Sequence, residues 1–160
     1  MKTIRISLLN QRLQLLQDDR TILEYPVSTA KNGAGEINGS EQTPRGWHQI
    51  RAKIGDHCQS GTVFVGRRPT GEIFNPALKL EYPGRDWILT RILWLSGLEP
   101  GFNRMGKVDT MRRYIYIHGC PDEDNLEQPG SHGCIKMRNQ DVITLFQQVD
   151  AGTKVLITEN

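Results

Sequence analysis

At 160 residues the chain is sized for a single domain, 1–160, able to bury roughly two-thirds of its unfolded surface. A composition that is 37% hydrophobic and 24% charged is ordinary for a globular protein, and a net charge of +2 with only short arginine pairs argues against a nucleic-acid partner. Three cysteines leave at least one thiol unpaired, which favours a reducing compartment over a disulfide framework.

The N-terminus points the same way. Arg5 interrupts the apolar start and Asn10-Gln11-Arg12 ends it, so no signal-peptide core is expected. No stretch approaches the roughly 20 apolar residues of a membrane span. The expected location is cytoplasmic, or periplasmic if a leader has been removed.

Ile4, Ile6 and Leu8 alternate with Arg5 and Ser7, the period of a half-buried strand, and Leu13 and Leu15 continue an apolar face. Asp18-Asp19 marks a turn and Ile22 to Val27 a returning strand, so the chain opens as a hairpin or meander. Ser28 to Trp47 is a long Gly/Asn/Ser/Thr loop with turn signals at Asn32-Gly33 and Asn38-Gly39. Strands are expected at Trp47 to Ile54 and Thr62 to Val65, followed by a Pro/Gly-punctuated stretch. Trp87 to Leu95 is apolar on both faces and reads as a central strand. Arg91 is its exception, and a charge there must be paired, reach solvent or face a site. Ser96 to Gly106 reads as a loop and Tyr114 to His118 as a strand placing Tyr114, Tyr116 and His118 on one face. A helix is expected from an Asn139 N-cap, with Asp141 in its first turn and Val142, Leu145, Phe146 and Val149 as its apolar stripe. Gly152 suits its exit, and Lys154 to Thr158 closes the chain as a strand. The fold class is α+β, β-rich, with one strong helix.

Chemistry concentrates between Tyr114 and Met137. His-Gly-Cys occurs twice, at 118–120 and 132–134, and holds two of the four histidines and two of the three cysteines. Four readings of these residues compete. They can be core packing, since free cysteine is among the most buried residue types. They can bind zinc through His118, Cys120, His132 and Cys134, although the spacing is not that of fingers or ribbons. They can form a redox pair, for which Cys120 and Cys134 lack the Cys-x-x-Cys spacing. Or they can be catalytic, an imidazole making a thiolate available while glycine-flanked amides stabilise an oxyanion. By spacing alone, His132 is the nearer base.

His118-Gly119, a loop, and then Ser131-His132-Gly133-Cys134-Ile135-Lys136-Met137 followed by Asp141 resemble the signature of the L,D-transpeptidase (YkuD-type) catalytic domain. Asn10-Gln11-Arg12-Leu13, Tyr25-Pro26-Val27-Ser28, Thr43-Pro44-Arg45-Gly46, Thr90-Arg91 and Leu95-Ser96-Gly97 extend the likeness over essentially the whole chain. The resemblance implies a mixed β-sandwich or barrel with a helix after the motif. It implies attack on the bond between the third residue and the terminal D-alanine of a peptidoglycan stem tetrapeptide or muropeptide, with no cofactor and no metal. It makes Cys134 the nucleophile and His118 the base, with the Gly119 carbonyl orienting the imidazole. His132, Gly133 and Cys134 would line the oxyanion site, and Ser131 would support the turn. Arg91 and Lys136 are the substrate-binding candidates. Lys136 stands where the family commonly has Arg or Asn and lacks the planar fork for a carboxylate. Cys120 is outside the pattern, and the acidic loop of Asp122, Glu123, Asp124 and Glu127 reads as solvated, with the amine of a diaminopimelate third residue as the alternative partner.

With no leader expected, the sequence favours an L,D-carboxypeptidase that trims D-alanine from tetrapeptides in murein recycling or precursor processing. The alternatives are an exported crosslinking L,D-transpeptidase and a non-enzymatic module that binds wall peptides.

Overall fold

The N-terminal alternation closes into a meander of β1 (Lys2–Ser7), β2 (Arg12–Gln17) and β3 (Arg20–Pro26) in a computed structural model that describes every residue, Met1–Asn160. The chain continues through β4 (Gly46–Ile54), β5 (Thr62–Val65), β6 (Arg68–Ile73), the short helix α1 (Pro76–Glu81) and β7 (Ile88–Gly97). It ends with β8 (Tyr116–Gly119), β9 (Ile135–Met137), the helix α2 (Asn139–Gln148) and β10 (Lys154–Thr158). All ten strands join in one mixed sheet in the order β3-β2-β1-β10-β4-β7-β5-β6, and β8 branches from β7 to carry β9. Only β1–β10 and β8–β9 are parallel. No helix is long and apolar enough to cross a membrane.

The core lies where the inward faces of β1, β2, β4, β7, β8, β9 and β10 meet α2. Ile4, Ile6, Leu13, Leu15, Leu93, Leu95, Ile117, Ile135, Val155 and Ile157 pack there on Val142, Leu145 and Phe146. The stripe expected for α2 is the face it buries. Its N-cap differs from expectation: Arg138 is the cap and makes no side-chain cap bond. Asn139 lies inside the first turn because its amide is engaged elsewhere, donating to the Cys120 carbonyl.

β6 and α1 occupy the stretch read as Pro/Gly-punctuated loop. Pro69 is tolerated because β6 is an edge strand, where a missing N–H breaks no ladder. Helix α1 starts by the expected chemistry, with Asn75 Oδ1 accepting the Leu78 N–H at 3.0 Å and Pro76 in the first turn. Strand β7 is central, pairing with β4, β5 and β8, but its alternation breaks between Leu89 and Ile92. Thr90 there has φ 74°, and the bulge changes where Arg91 points.

His48 of β4 is fully buried. Its Nδ1 lies 3.0 Å from the Gly46 carbonyl and its Nε2 3.0 Å from the Thr110 hydroxyl. The Gly46 carbonyl can only accept, so the neutral ring donates from Nδ1, and the single Thr110 hydroxyl proton is shared between Nε2 and the Asn103 carbonyl, 2.9 Å away. This contact anchors Thr110, the residue before the one-turn helix Met111–Arg113 that leads into the site. Burial pushes the imidazole down from 6.5 to about 4. Between those values the unfolded chain binds more protons than the native state, so stability is complete above pH 6.5 and is lost as pH falls toward 4. Urea denaturation of wild type at pH 7 and pH 5 should show a loss of about 2 kcal/mol from this residue, and His48→Gln should remove that share of the difference.

Candidate active site

The motif occupies the crossover that parallel pairing of β8 and β9 requires. The chain leaves β8 at Gly119 and returns through Ser131-His132-Gly133-Cys134 into β9, with His118 opposite Lys136 in register. Alternation puts Tyr116 and His118 on the sheet face away from α2. Tyr114 is outside the strand, at φ 55° after the one-turn helix, yet it still reaches the same cavity.

That cavity has a volume of about 520 Å3 and is lined by Arg67, Asp86, Arg113, Tyr114, Tyr116, His118, Ser131, His132 and Cys134 among others. The larger cavity of the molecule, about 630 Å3, lies over the outer face of β1, β2 and β10 and contains neither cysteine nor histidine. Cys134 is half-buried. The Tyr116 N–H donates to its Sγ at 3.3 Å, and the sulfur lies 3.4 Å from the Tyr114 carbonyl, which a thiol can reach as donor. Burial pushes the thiol up to about 12, opposed by the Tyr116 N–H; Asp86 adds to the rise and Arg113 counters it. His118 is buried with Nδ1 2.7 Å from the Gly119 carbonyl, which fixes the proton on Nδ1 and leaves Nε2 as the basic nitrogen. Burial pushes this imidazole down, partly offset by the Gly119 carbonyl and Asp86. On the shared cavity the thiol is thus pushed up and the imidazole down, each toward its uncharged form. Thiolate forms only as the proton moves.

Two glycines are sterically required. A Cβ at Gly119 would stand 2.4 Å from Asn139 Oδ1 and 2.7 Å from the Leu89 carbonyl, and neither packing neighbour is free to give. Gly133 has φ 131°, with Ile115 Cδ1 3.1 Å and the Gln42 carbonyl 3.3 Å from its Cβ position. The turn between them is tied down by Ser131, whose hydroxyl donates to the Cys134 carbonyl and accepts the Gly133 N–H at 3.1 Å. The Gly133 amide is therefore spent. The amides of His132 and Cys134 donate to no protein acceptor and are the pair available to an oxyanion. Thr43 completes the turn by donating to the Gly133 carbonyl at 2.9 Å. The long loop before β4 is thereby part of the site's framework, and Arg113 holds it through the carbonyls of Gly35 and Gln42.

Arg91 and Lys136, the expected substrate-binding residues, are placed differently. Arg91 lines no part of the cavity: beyond the Thr90 bulge its guanidinium donates to the carbonyls of Cys58 and Thr90 and lies 5.5 Å from the Phe146 ring centre. Lys136 shares the face of His118 but pairs with Asp124 at 2.8 Å, and Lys79 also faces Asp124 and Glu123. The acidic loop is therefore neutralised in part rather than simply solvated. Cys120 is buried, donates to the Met137 carbonyl at 3.2 Å, and is pushed up to about 12 by burial. It is a packed thiol, and with its sulfur turned to Met137 the four His and Cys residues do not converge as a ligand set. Arg67 and Arg113, whose pairs Arg67-Arg68 and Arg112-Arg113 read in the sequence as solvated surface, instead line the cavity, as does Asp86, which the sequence did not single out.

Comparison with known proteins decides the kinship. The family model of the L,D-transpeptidase (YkuD) catalytic domain matches residues 1–157. The chain belongs to this family. It is 42% identical to YqjB of Bacillus subtilis over 148 residues, covering 92% of this chain and 66% of that protein. It is 27% identical to YkuD of Bacillus licheniformis over 155 residues, 97% of this chain and 64% of that protein. The chain thus spans just under two-thirds of these relatives' lengths. L,D-transpeptidase 3 from Mycobacterium tuberculosis, solved with a faropenem-derived adduct, superposes with a TM-score of 0.61 at 15% identity, covering 99% of this chain and 60% of that one. An L,D-transpeptidase from Mycobacterium smegmatis gives 0.58 at 17%, covering 98% and 58%. These likenesses show the β-rich mixed-sheet fold expected from the sequence.

Two outcomes follow from this L,D-transpeptidase-family site. Alkylation of Cys134 by iodoacetamide, followed by peptide mass mapping, should be slow at pH 7 and rise about tenfold per pH unit to pH 9. A rate already at plateau near pH 7 would mean a preformed thiolate–imidazolium pair. Gly119→Ala should displace the carbonyl that orients His118 and lower kcat about 10²-fold, with circular dichroism checking that the sheet is retained.

Proposed function

We propose that this domain is a cysteine-dependent L,D-carboxypeptidase that removes the terminal D-amino acid from a peptidoglycan stem tetrapeptide. The observation that carries the reading is the placement of Cys134 and His118 on one cavity, with the His118 proton fixed on Nδ1 and two unpaired amides at the motif turn. Family membership supplies the substrate class.

The steps follow from these groups. His118 Nε2 takes the thiol proton as Sγ of Cys134 attacks the carbonyl of the third stem residue. Charge gathers on the carbonyl oxygen, where the amides of His132 and Cys134 can receive it. Collapse breaks the C–N bond, and the imidazolium returns its proton to the departing amine of the fourth residue. The thioester that remains is opened by water, which gives a proton to His118 as its oxygen bonds to the carbonyl carbon. The second collapse frees the tripeptide acid, and the proton returns to sulfur. Raising the thiolate above its usual energy by burial makes it the stronger nucleophile at the moment it forms, at the cost of a low resting population.

Hydrolysis is favoured over transfer because it needs one peptide and water. Cys134 is partly exposed in a cavity of about 520 Å3, so water can reach the thioester without a second peptide being bound. Attack on the same thioester by the amine of a second stem peptide would be L,D-transpeptidation, the reading the family's name favours.

Incubation of the purified protein with a disaccharide tetrapeptide, with products read by mass, separates the two. Release of tripeptide and free D-alanine is the expected result. Dimers joined between two third residues would replace hydrolysis with transfer. Cys134→Ala should abolish both products, and a full rate in that variant would remove the nucleophile from the scheme.

A further inference from the structure

The hairpin joining β5 and β6 turns on Gly66 and Arg67, whose φ values are 56° and 64°. Two successive left-handed residues form a type I′ turn, a place for Asn or Gly rather than Arg. Arg67 is held there by its surroundings. Its guanidinium carbon lies 4.8 Å from the Trp94 ring centre and 4.9 Å from that of Tyr114, and Nη1 donates to the Tyr116 hydroxyl at 3.0 Å. The remaining donors, on Nη2 and Nε, meet no protein acceptor, and no carboxylate pairs with this arginine. Arg113, the other guanidinium of the cavity, is already committed to Gly35, Ser40 and Gln42. Lys136 is committed to Asp124.

A strained backbone position, an aromatic clamp and unspent planar donors on the wall of the Cys134 cavity form an anion receptor. The geometry points to Arg67 as the residue that determines specificity by binding a free carboxylate of the stem peptide. This assignment rests on Cys134 acting on such a peptide. The clamp fixes the guanidinium plane in advance, so little side-chain freedom is lost when a carboxylate docks on the fork. Asp86 lines the same cavity with no cation paired to it. It repels a second anion and leaves Arg67 as the place for the first. Two carboxylates of a stem peptide carry the required chemistry: the C-terminal one on the fourth residue, and the side-chain one of a diamino-diacid third residue.

The test is equilibrium binding to Cys134→Ala protein by calorimetry, with a tetrapeptide bearing both carboxylates, its C-terminal amide and its third-residue side-chain amide. Each is measured with Arg67 present and with Arg67→Asn, a replacement the left-handed turn accepts. The free peptide should bind about 10- to 100-fold more weakly to the Asn variant, and Arg67→Lys should recover part of the loss. One of the two amides should bind the Arg67 protein as weakly as the Asn variant binds the free peptide, and lose nothing more in the Asn background. That amide identifies the carboxylate. Equal affinity with and without Arg67, equal amidation penalties in both backgrounds, or no binding of any peptide would overturn the assignment. Turnover by the protein with Cys134 intact keeps the two proposals apart. Arg67-dependent binding without turnover sinks the hydrolytic reading alone, and turnover with Arg67-independent binding sinks the receptor alone.

Discussion

Parallel neighbours in a sheet cannot be joined by a tight turn, so the pairing of β8 with β9 forces the chain to leave the sheet at Gly119 and come back at Ile135. Everything chemical in this domain hangs on that excursion. Its departure point carries His118, its return point carries Cys134, and the register brings both ends to adjacent strands. The antiparallel contact of β8 with β7 then fixes His118 against Ile92, while the approach of the Leu89 carbonyl and Asn139 leaves no room for a side chain at 119. The imidazole is oriented by its own neighbour's carbonyl because the backbone there has one available path.

Burial sets the electrostatics of the pair. It pushes the thiol up and the imidazole down, so both groups rest uncharged. The amides of His132 and Cys134 donate to no protein acceptor, and in the proposed reaction they can receive the charge that gathers on the carbonyl oxygen. Ser131 and Thr43 hold that turn from its two sides without using those amides. The framework extends outward from there: Arg113 secures the loop that carries Thr43, and the buried His48 secures Thr110 just ahead of Arg113.

Much of this was legible in the sequence because it is local. Period-two alternation gave β1, β2 and β10, the apolar stripe gave α2, and the two His-Gly-Cys tripeptides lay close enough to be read as one site. Between His118 and His132 the spacing favours the latter as base and the family resemblance the former. What the sequence did not show was long-range. Arg91 looked like a site residue because a charge in an apolar strand needs a purpose, but a bulge at Thr90 turned it to the Cys58 carbonyl. Lys136 lay on the expected face and was taken by Asp124, a residue of the loop read as solvated. Arg67-Arg68 reads as a solvated surface pair until β5 pairs with β7 and delivers Arg67 beside Tyr116. Pro69 concealed β6 because proline in a strand is tolerable only at an edge, and edges are decided by topology.

The proposed chemistry forms a covalent bond at Cys134 with His118 as the proton carrier. Rapid acid quenching of the protein with tetrapeptide, followed by intact and peptide-level mass analysis, measures that bond directly. A tripeptidyl thioester on Cys134 should form within the first turnover and should fail to form when His118 is replaced by Asn. Tripeptide appearing while Cys134 stays unmodified at every time point, or an adduct found on Cys58 or Cys120 instead, would contradict it.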